Sequence, residues 1–123
     1  MTIDTNIVIA YLAGEEVIVR ALSEWKEVGM TLLLPSVVET EVLSFPGLPD
    51  EEHTRIEQFL ESEFLFVPLD RSLARVAAHV RRTRRIKTPD SIIAATAITS
   101  GTSLVTRNAR DFRNIPNLTV LNV

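Results

Sequence analysis

The sequence predicts an α/β fold in which a mostly parallel sheet of about five strands lies between layers of helices. Short apolar runs of strand length alternate with longer segments whose apolar residues recur at helical spacing. Strands that alternate with helices are joined by right-handed crossovers, so neighbouring strands run parallel. The 123 residues are 46% hydrophobic, which is enough for one core, and we expect a single domain over residues 1–123.

Each element in the first half of the chain has its own local signal. The first strand ends in the polar turn 4–6, and the helix after it breaks near Gly14. The second helix has apolar residues at helical spacing and is closed by Gly29. The second strand is a short apolar run ended by Pro35, and the third helix stops in segment 45–49, which contains two prolines and a glycine.

The second half continues the alternation. A fourth helix leads into the third strand, and a fifth helix turns Leu73, Val76, Ala77 and Val80 inward. The sixth helix is apolar on nearly all sides and is therefore expected to be buried. A loop or short helix around 109–112 joins the last two strands. The predicted strands cover residues 1–4, 31–34, 64–67, 103–105 and 119–121, and the predicted helices cover 7–12, 15–28, 36–44, 50–61, 70–84 and 89–100.

Composition excludes several classes of protein. Without cysteine, the chain has no disulfide, no thiolate nucleophile and no cysteine-bound zinc. No apolar run approaches the roughly 18 residues of a membrane span. No export leader precedes the first structured motif. We therefore expect a soluble, cytoplasmic protein with no membrane association.

Charge is divided unevenly along the chain. Residues 1–70 hold fourteen acids and three bases, whereas residues 71–123 hold two acids and ten bases. The net charge of −3 argues against a nucleic-acid ligand, but this average hides the basic C-terminal half. The two acids of that half, Asp90 and Asp111, stand in polar segments beside apolar runs. Their isolation among basic residues indicates a chemical role.

Polar residues also stand where strands end. Asp4 follows the first strand and Thr106 follows the fourth, and in parallel sheets ligands bind outside the carboxyl ends of the strands. Structural roles compete with this interpretation. Asp4 is a suitable helix N-cap. Asp90 sits in the first turn of a helix with Thr88 as its N-cap and Pro89 as its first residue, where an acid is favoured by the helix dipole without any catalytic role. Asp111 alone is equally compatible with a plain surface acid.

The third predicted helix contains two acids, Glu39 and Glu41. Ser36 followed three residues later by Glu39 is a capping-box pattern, which gives Glu39 a structural role. Glu41 falls within the predicted inward stripe of that helix, whereas Glu39 falls nearly opposite. A carboxylate on a buried side must be paired or bind a cation. We therefore predict Glu41 as the functional acid.

If Asp4, Glu41, Asp90 and Asp111 converge, their charges need a cation. Two carboxylates about 4 Å apart repel by roughly 4 kcal/mol at an effective dielectric near 20. Oxygen ligands without Cys or His favour a hard ion, Mg²⁺ or Mn²⁺. Such an ion activates water and neutralises negative charge during phosphoester hydrolysis. His53 and His79 share no motif, so a histidine-centred site is not expected.

Basic residues extend from the fifth helix towards Asp90. Such a face is most often only solvated, but this one is also suited to phosphate binding. The residues concerned are Arg71, Arg75, Arg82, Arg84, Arg85 and Lys87, of which Arg75, Arg82, Arg85 and Lys87 are the predicted phosphate contacts.

These residues together resemble the PIN-domain family of metal-dependent ribonucleases, and within it the VapC-type toxins. Four segments carry the resemblance, IDTNIVIAYL at 3–12, PSVVETEV at 35–42, PDSIIAATA at 89–97 and LVTRNARDF at 104–112. The resemblance implies a three-layer α/β/α fold, cleavage of RNA, and dependence on Mg²⁺ or Mn²⁺. It also implies a small antitoxin partner and a homodimer.

By the same resemblance, Asp4, Glu41 and Asp90 are the first three acids of the site. Many family members carry an acid where this chain has Asn108, and Asp111 follows three residues later. Asp111 is then the candidate for the fourth acid, with Asn6, Thr106 and Asn108 as supporting neighbours. Two questions stay open, namely whether Asp111 or Asn108 fills the fourth position and whether one or two metals bind.

Other classes remain as alternatives. One is a catalytically silent PIN-like module that binds RNA or a protein. A phosphatase of the haloacid dehalogenase type is disfavoured because the turn at 4–6 lacks a second Asp. A response-regulator receiver is disfavoured because no central strand ends in a suitable Asp.

Overall fold

A computed structural model describes residues 1–123 as a five-stranded, all-parallel sheet with six α-helices and one short 3₁₀ helix. The strands are β1 (Thr2–Ile3), β2 (Leu33–Pro35), β3 (Leu65–Val67), β4 (Leu104–Thr106) and β5 (Val120–Asn122). The helices are α1 (Thr5–Leu12), α2 (Glu16–Glu27), α3 (Ser36–Leu43), α4 (Asp50–Glu63), α5 (Arg71–Arg84) and α6 (Thr88–Ser100), and the 3₁₀ helix is Ala109–Phe112. The predicted three-layer α/β/α fold is confirmed.

The strand order is β3-β2-β1-β4-β5, so β1 is central and β3 and β5 are edges. Thr2 pairs with Leu33 on one side and Leu104 on the other, and Ile3 pairs with Val105. Because all five strands are parallel, their carboxyl ends meet at one edge of the sheet. That edge carries the residues that follow β1 and end β4.

Helix α6 is the central packing element, as its composition predicted. Six of its thirteen residues are buried, namely Ser91, Ile93, Ala94, Ala95, Thr96 and Ala97. The helix contacts α5, α3 and strands β1, β2 and β4. Its alanines allow this close approach, and the buried core of Ile3, Ile7, Leu34 and Leu104 surrounds it. The first turn of α6, which carries Asp90, is thereby fixed relative to the sheet.

Two predicted caps are wrong. Helix α6 begins one residue early, so Lys87 occupies the N-cap position and Thr88 is already helical. Helix α3 follows β2 without a linking residue, which puts Pro35 at its N-cap, and no side chain caps it. The expected capping box between Ser36 and Glu39 therefore does not form. Both cases depend on the backbone conformation of a single residue.

Other boundaries differ from the sequence predictions by one or two residues. None of the six α-helices combines the length and the apolar character that crossing a bilayer requires.

Asp70 caps α5 by accepting a hydrogen bond from the Leu73 backbone N–H at 2.9 Å. Arg85 ends α5 in a left-handed conformation (φ 53°), which turns the chain towards α6 and Asp90.

Candidate functional site

Asp4 and Thr106 lie side by side at the carboxyl edge of the sheet. Their strands pair in register, and the Thr106 hydroxyl donates a buried 2.7 Å hydrogen bond to Asp4 Oδ2. The Thr5 backbone N–H donates to Asp4 Oδ1 at 2.7 Å. The structural prediction for Asp4 therefore holds, since it is the N-cap of α1. Its second oxygen nevertheless faces the neighbouring strand end rather than the helix.

The Asp4 side chain is only 6% exposed. Burial raises the pKa of its carboxyl above the ordinary range, because desolvation disfavours the ionised form. The hydrogen bonds from Thr106 and Thr5 act in the opposite direction, and the charge of Glu41 raises the pKa further. Asp4 is therefore a buried acid whose ionised form gains stability from any nearby cation.

Asn6 connects Asp4 to the loop that follows β4. Its amide nitrogen lies 3.3 Å from Asp4 Oδ2 and 3.5 Å from Thr106 Oγ, and its oxygen accepts from the Arg107 backbone N–H at 3.2 Å. The Asn108 backbone N–H donates to Thr106 Oγ at 2.9 Å. The three predicted supporting residues are thus brought together, although Asn108 takes part through its backbone.

Asp90 occupies the first turn of α6 and is half-buried. Burial and, after it, the charges of Asp4, Asp111 and Glu41 raise its pKa to about 6, whereas Lys87 lowers it. Asp4, Glu41 and Asp111 therefore all lie within electrostatic reach of Asp90. This concentration of negative charge is the strongest electrostatic feature of the site.

Glu41 reaches this cluster by a different route from the one expected. Its side chain is exposed and Glu39 is half-buried, so the prediction that Glu41 lies on the inward face of α3 is wrong. Helix α3 buries only Val38 and Val42. The buried face of α3 is therefore narrower than predicted, and Glu41 lies outside it, next to Thr5 at the carboxyl end of β1.

Thr5 holds Glu41 in place. Its hydroxyl donates to Glu41 Oε1 at 2.7 Å, which ties α3 to the first turn of α1. This role for Thr5 was not predicted from the sequence. Its position directly after Asp4 in the polar turn was the available signal, but a partner thirty-six residues away leaves no local pattern.

Asp111 lies on the 3₁₀ helix with an exposed side chain. Its backbone N–H donates to the Asn108 carbonyl at 2.9 Å, which closes the turn after β4. Its charge contributes to the raised pKa of Asp90. The Asn108 side chain makes no hydrogen bond.

No three His, Asp or Glu side chains stand close enough to hold one ion directly. The shared metal site of Asp4, Glu41, Asp90 and Asp111 therefore remains a prediction. The donors are all hard oxygen atoms. Mg²⁺ is usually held by one or two carboxylates and retains several waters, so a site with few direct carboxylate ligands suits it.

The predicted basic face is exposed beside the cluster. Arg71, Arg75, Arg85 and Lys87 make no side-chain hydrogen bonds, and Arg82 contacts only His79, at 3.2 Å. A 460 Å³ pocket between α5 and α6 extends this face towards the first turn of α6. Its polar lining is formed by Arg81, Arg82, Thr88 and Ser91. Arg81 was not among the predicted contacts, although it precedes Arg82.

Known proteins are similar to this chain in sequence and in fold. The sequence matches the PIN domain family over residues 1–118. Ribonuclease VapC1 of Rickettsia felis is 34% identical, over all of this chain and 96% of that protein. Ribonuclease VapC19 of Mycobacterium tuberculosis is 31% identical over 94% of each chain.

Solved structures agree with these matches. A toxin-antitoxin complex from Klebsiella pneumoniae contains a chain that superposes with a TM-score of 0.80 at 27% identity, covering 98% of this chain and 95% of that one. VapBC2 from Rickettsia felis bound to a DNA fragment from its promoter superposes with a TM-score of 0.84, over 99% and 97% of the two chains. At 21% identity this second likeness supports the fold alone. The chain belongs to the PIN domain family.

Proposed function

We propose that this chain is an endoribonuclease that hydrolyses RNA phosphodiester bonds with Mg²⁺ or Mn²⁺, and that it is the toxin of a toxin–antitoxin pair. The observation that carries the proposal is Asp90, whose pKa is raised to about 6 by burial and by three neighbouring acids at the carboxyl edge of a parallel sheet. Clustered carboxylates of this kind are characteristic of functional sites. The named relatives, which are ribonucleases, support the same conclusion.

Asp4 and Asp90 are the carboxylates that would hold the ion. Both carry raised pKa values caused first by burial, and both face the other acids of the cluster. Glu41 and Asp111, which are more exposed, would hold its waters. When bound, the ion supplies an activated water and neutralises charge that develops on the phosphate.

The supporting residues orient these acids. Thr106 and Asn6 donate to one oxygen of Asp4, and these hydrogen bonds fix the orientation of the carboxylate and of its remaining lone pairs. Thr5 does the same for Glu41. A carboxylate held by fixed donors needs no rearrangement to bind, so these contacts preorganise the site.

The basic face of α5 is the proposed binding surface for the RNA strand. Its guanidinium and ammonium groups lie beside the acids and are largely free of protein partners. Removing one basic side chain that binds a phosphate should reduce the slope of log affinity against log salt by roughly 0.7 for a single strand. Replacing Arg75, Arg82 and Arg85 together by alanine should therefore lower the slope by roughly 2.

The family and a neighbour that is a toxin–antitoxin complex support an antitoxin partner. We propose a small antitoxin that covers the acidic site, and a homodimer of this chain. Co-expression with the adjacent reading frame, followed by mass measurement of the purified complex, tests both assignments. A stable monomer that no neighbouring gene product binds would refute them.

Cleavage of RNA tests the activity itself. Purified protein is incubated with single-stranded and structured RNAs in Mg²⁺, Mn²⁺ or chelator, beside the Asp4→Asn and Asp90→Asn variants. We expect products with 5′-phosphate and 3′-hydroxyl ends, formed only with metal and absent in both variants. Glu52→Gln is the matched control for Asp90→Asn, because Glu52 holds the same position in the first turn of α4.

Cleavage that persists in chelator, or in both aspartate variants, would refute the mechanism. Metal-independent RNA binding without any cleavage would favour the catalytically silent module instead.

A further inference from the structure

A second basic surface lies on the segment that follows β4. It is a polar pocket of 460 Å³ at the carboxyl ends of β4 and β5. Its lining consists of Arg107, Asn108, Ala109, Arg110, Asp111, Arg113 and Asn122. Three arginines and two amides face one acid, so the pocket carries a net positive charge. Its volume is within the range of nucleotide-sized ligand sites.

The 3₁₀ helix that carries this surface is fixed rather than loose. Phe112 is 2% exposed and Ile115 is 6% exposed, and both belong to the main core. Their burial anchors the segment and leaves Arg110 and Arg113 exposed on either side of Phe112. The two arginines are therefore presented outward from a rigid base.

The three arginines differ in what already binds them. Arg107 forms an ion pair with Glu15, and its backbone N–H donates to Asn6. It therefore fixes the pocket to the turn before α2 and to the Asp4 network. Arg110 and Arg113 make no side-chain hydrogen bond and no ion pair. These two side chains keep their full donor capacity for a ligand.

The pocket adjoins Asp4 through Asn108 and Thr106. Asn108 lines the pocket, and its backbone N–H donates at 2.9 Å to Thr106 Oγ, whose hydroxyl donates to Asp4 Oδ2. A strand whose scissile phosphate lies at the acids must continue past them in both directions. The α5 face is the proposed surface for one direction, and the pocket supplies Arg110 and Arg113 for the other.

We propose that Arg110 and Arg113 bind backbone phosphates of the RNA strand next to the phosphodiester that is cut. The guanidinium fork matches phosphate geometry and stays charged at every relevant pH. This inference rests on the proposed ribonuclease function. It identifies the surface along which the RNA strand would continue beyond the acids. The competing explanation is that both arginines are simply solvated.

Salt-dependent RNA affinity distinguishes the two explanations. Fluorescence anisotropy of a labelled single-stranded RNA is measured in chelator, from about 50 to about 200 mM salt, with the RNA recovered intact. For Arg110→Ala/Arg113→Ala we expect the slope to fall by roughly 1.4 relative to wild type. The affinity advantage of wild type should then shrink about sevenfold across this fourfold salt range.

Two further variants serve as controls. Arg20→Ala/Arg55→Ala removes two exposed arginines from the acidic half and should leave the slope unchanged. Arg110→Lys/Arg113→Lys keeps both charges, so it should retain the slope while binding more weakly. An unchanged slope in the double alanine variant, or an equal reduction in the Arg20/Arg55 control, would overturn the assignment.

Metal-dependent cleavage by the wild-type protein is assayed on the same RNA. If wild type cleaves and the double alanine variant keeps its slope, the subsite alone is wrong. If wild type does not cleave but the variant has the reduced slope, the ribonuclease proposal fails while phosphate binding by the two arginines stands.

Discussion

Replacing Asp90 by asparagine should make the metal-free protein more stable at neutral pH. Burial and three neighbouring acids raise the pKa of Asp90 from 3.8 to about 6 in the folded state. The folded protein therefore disfavours the carboxylate form, and wild type loses stability as pH rises from about 4 through 6. Asparagine has the same shape and no charge, so the variant avoids this loss.

The size of the effect follows from the two pKa values. Their difference corresponds to about 3 kcal/mol at 1.36 kcal/mol per pH unit. Asp90 is only half-buried, and solvent screening reduces the effective value to about 1–2 kcal/mol. The favourable interaction of a first-turn acid with the helix dipole is about 0.3–1 kcal/mol and is absent in the variant. The expected net gain is therefore about 1 kcal/mol.

Urea unfolding in chelator measures this gain directly. At pH 7 the Asp90→Asn variant should unfold with a free energy about 1 kcal/mol above wild type, and at pH 4 the gain should disappear. Saturating Mn²⁺ should reverse the order, because ligand at about 100 times its Kd stabilises wild type by about 2.7 kcal/mol. The Glu52→Gln control should show no such pH-dependent gain. A variant that is less stable at pH 7, or whose gain is the same at both pH values, would refute the reasoning.

Three further changes test individual contacts. Glu41→Gln should keep the hydrogen bond from the Thr5 hydroxyl and leave stability level or higher while cleavage falls, whereas Glu39→Gln should leave both unchanged; the reverse pattern in a cleavage assay would reassign the acid. Thr106→Val removes the shorter of the two hydrogen bonds that buried Asp4 Oδ2 accepts and should lower the free energy of unfolding by about 1–3 kcal/mol, with Thr106→Ser restoring it in urea titrations. Asp70→Ala removes the cap of α5 and should reduce stability by about 1 kcal/mol without changing Mn²⁺ affinity measured by calorimetry.

Local pattern was sufficient to predict the architecture. The all-round apolar character of α6 predicted its burial, and the alternation of strands and helices predicted the parallel sheet. Topology then placed Asp4 beside Thr106, because the ends of parallel strands meet at one edge. These conclusions needed only periodicity and chain order, which the sequence displays directly.

The details that failed depend on single dihedral angles or on distant partners. Pro35 and Lys87 became N-caps because the adjoining helices start immediately after them, and residue type does not fix such a start. Glu41 was predicted as a site residue because its face of the helix was expected to be buried, but the side chain is exposed and held by Thr5. A helical wheel shows which residues share a face, but it does not show whether that face meets the core or an open edge.

The central claim is that Asp4 and Asp90 share a divalent ion. Its most direct test is the anomalous scattering of Mn²⁺ in crystals of wild type and of the Asp90→Asn variant. We expect a wild-type peak bound to an oxygen of Asp4 and an oxygen of Asp90, with water completing the coordination, and no peak there in the variant. Mn²⁺ bound only elsewhere, for instance among the acids at the start of α4, in a protein that cleaves RNA would contradict the claim.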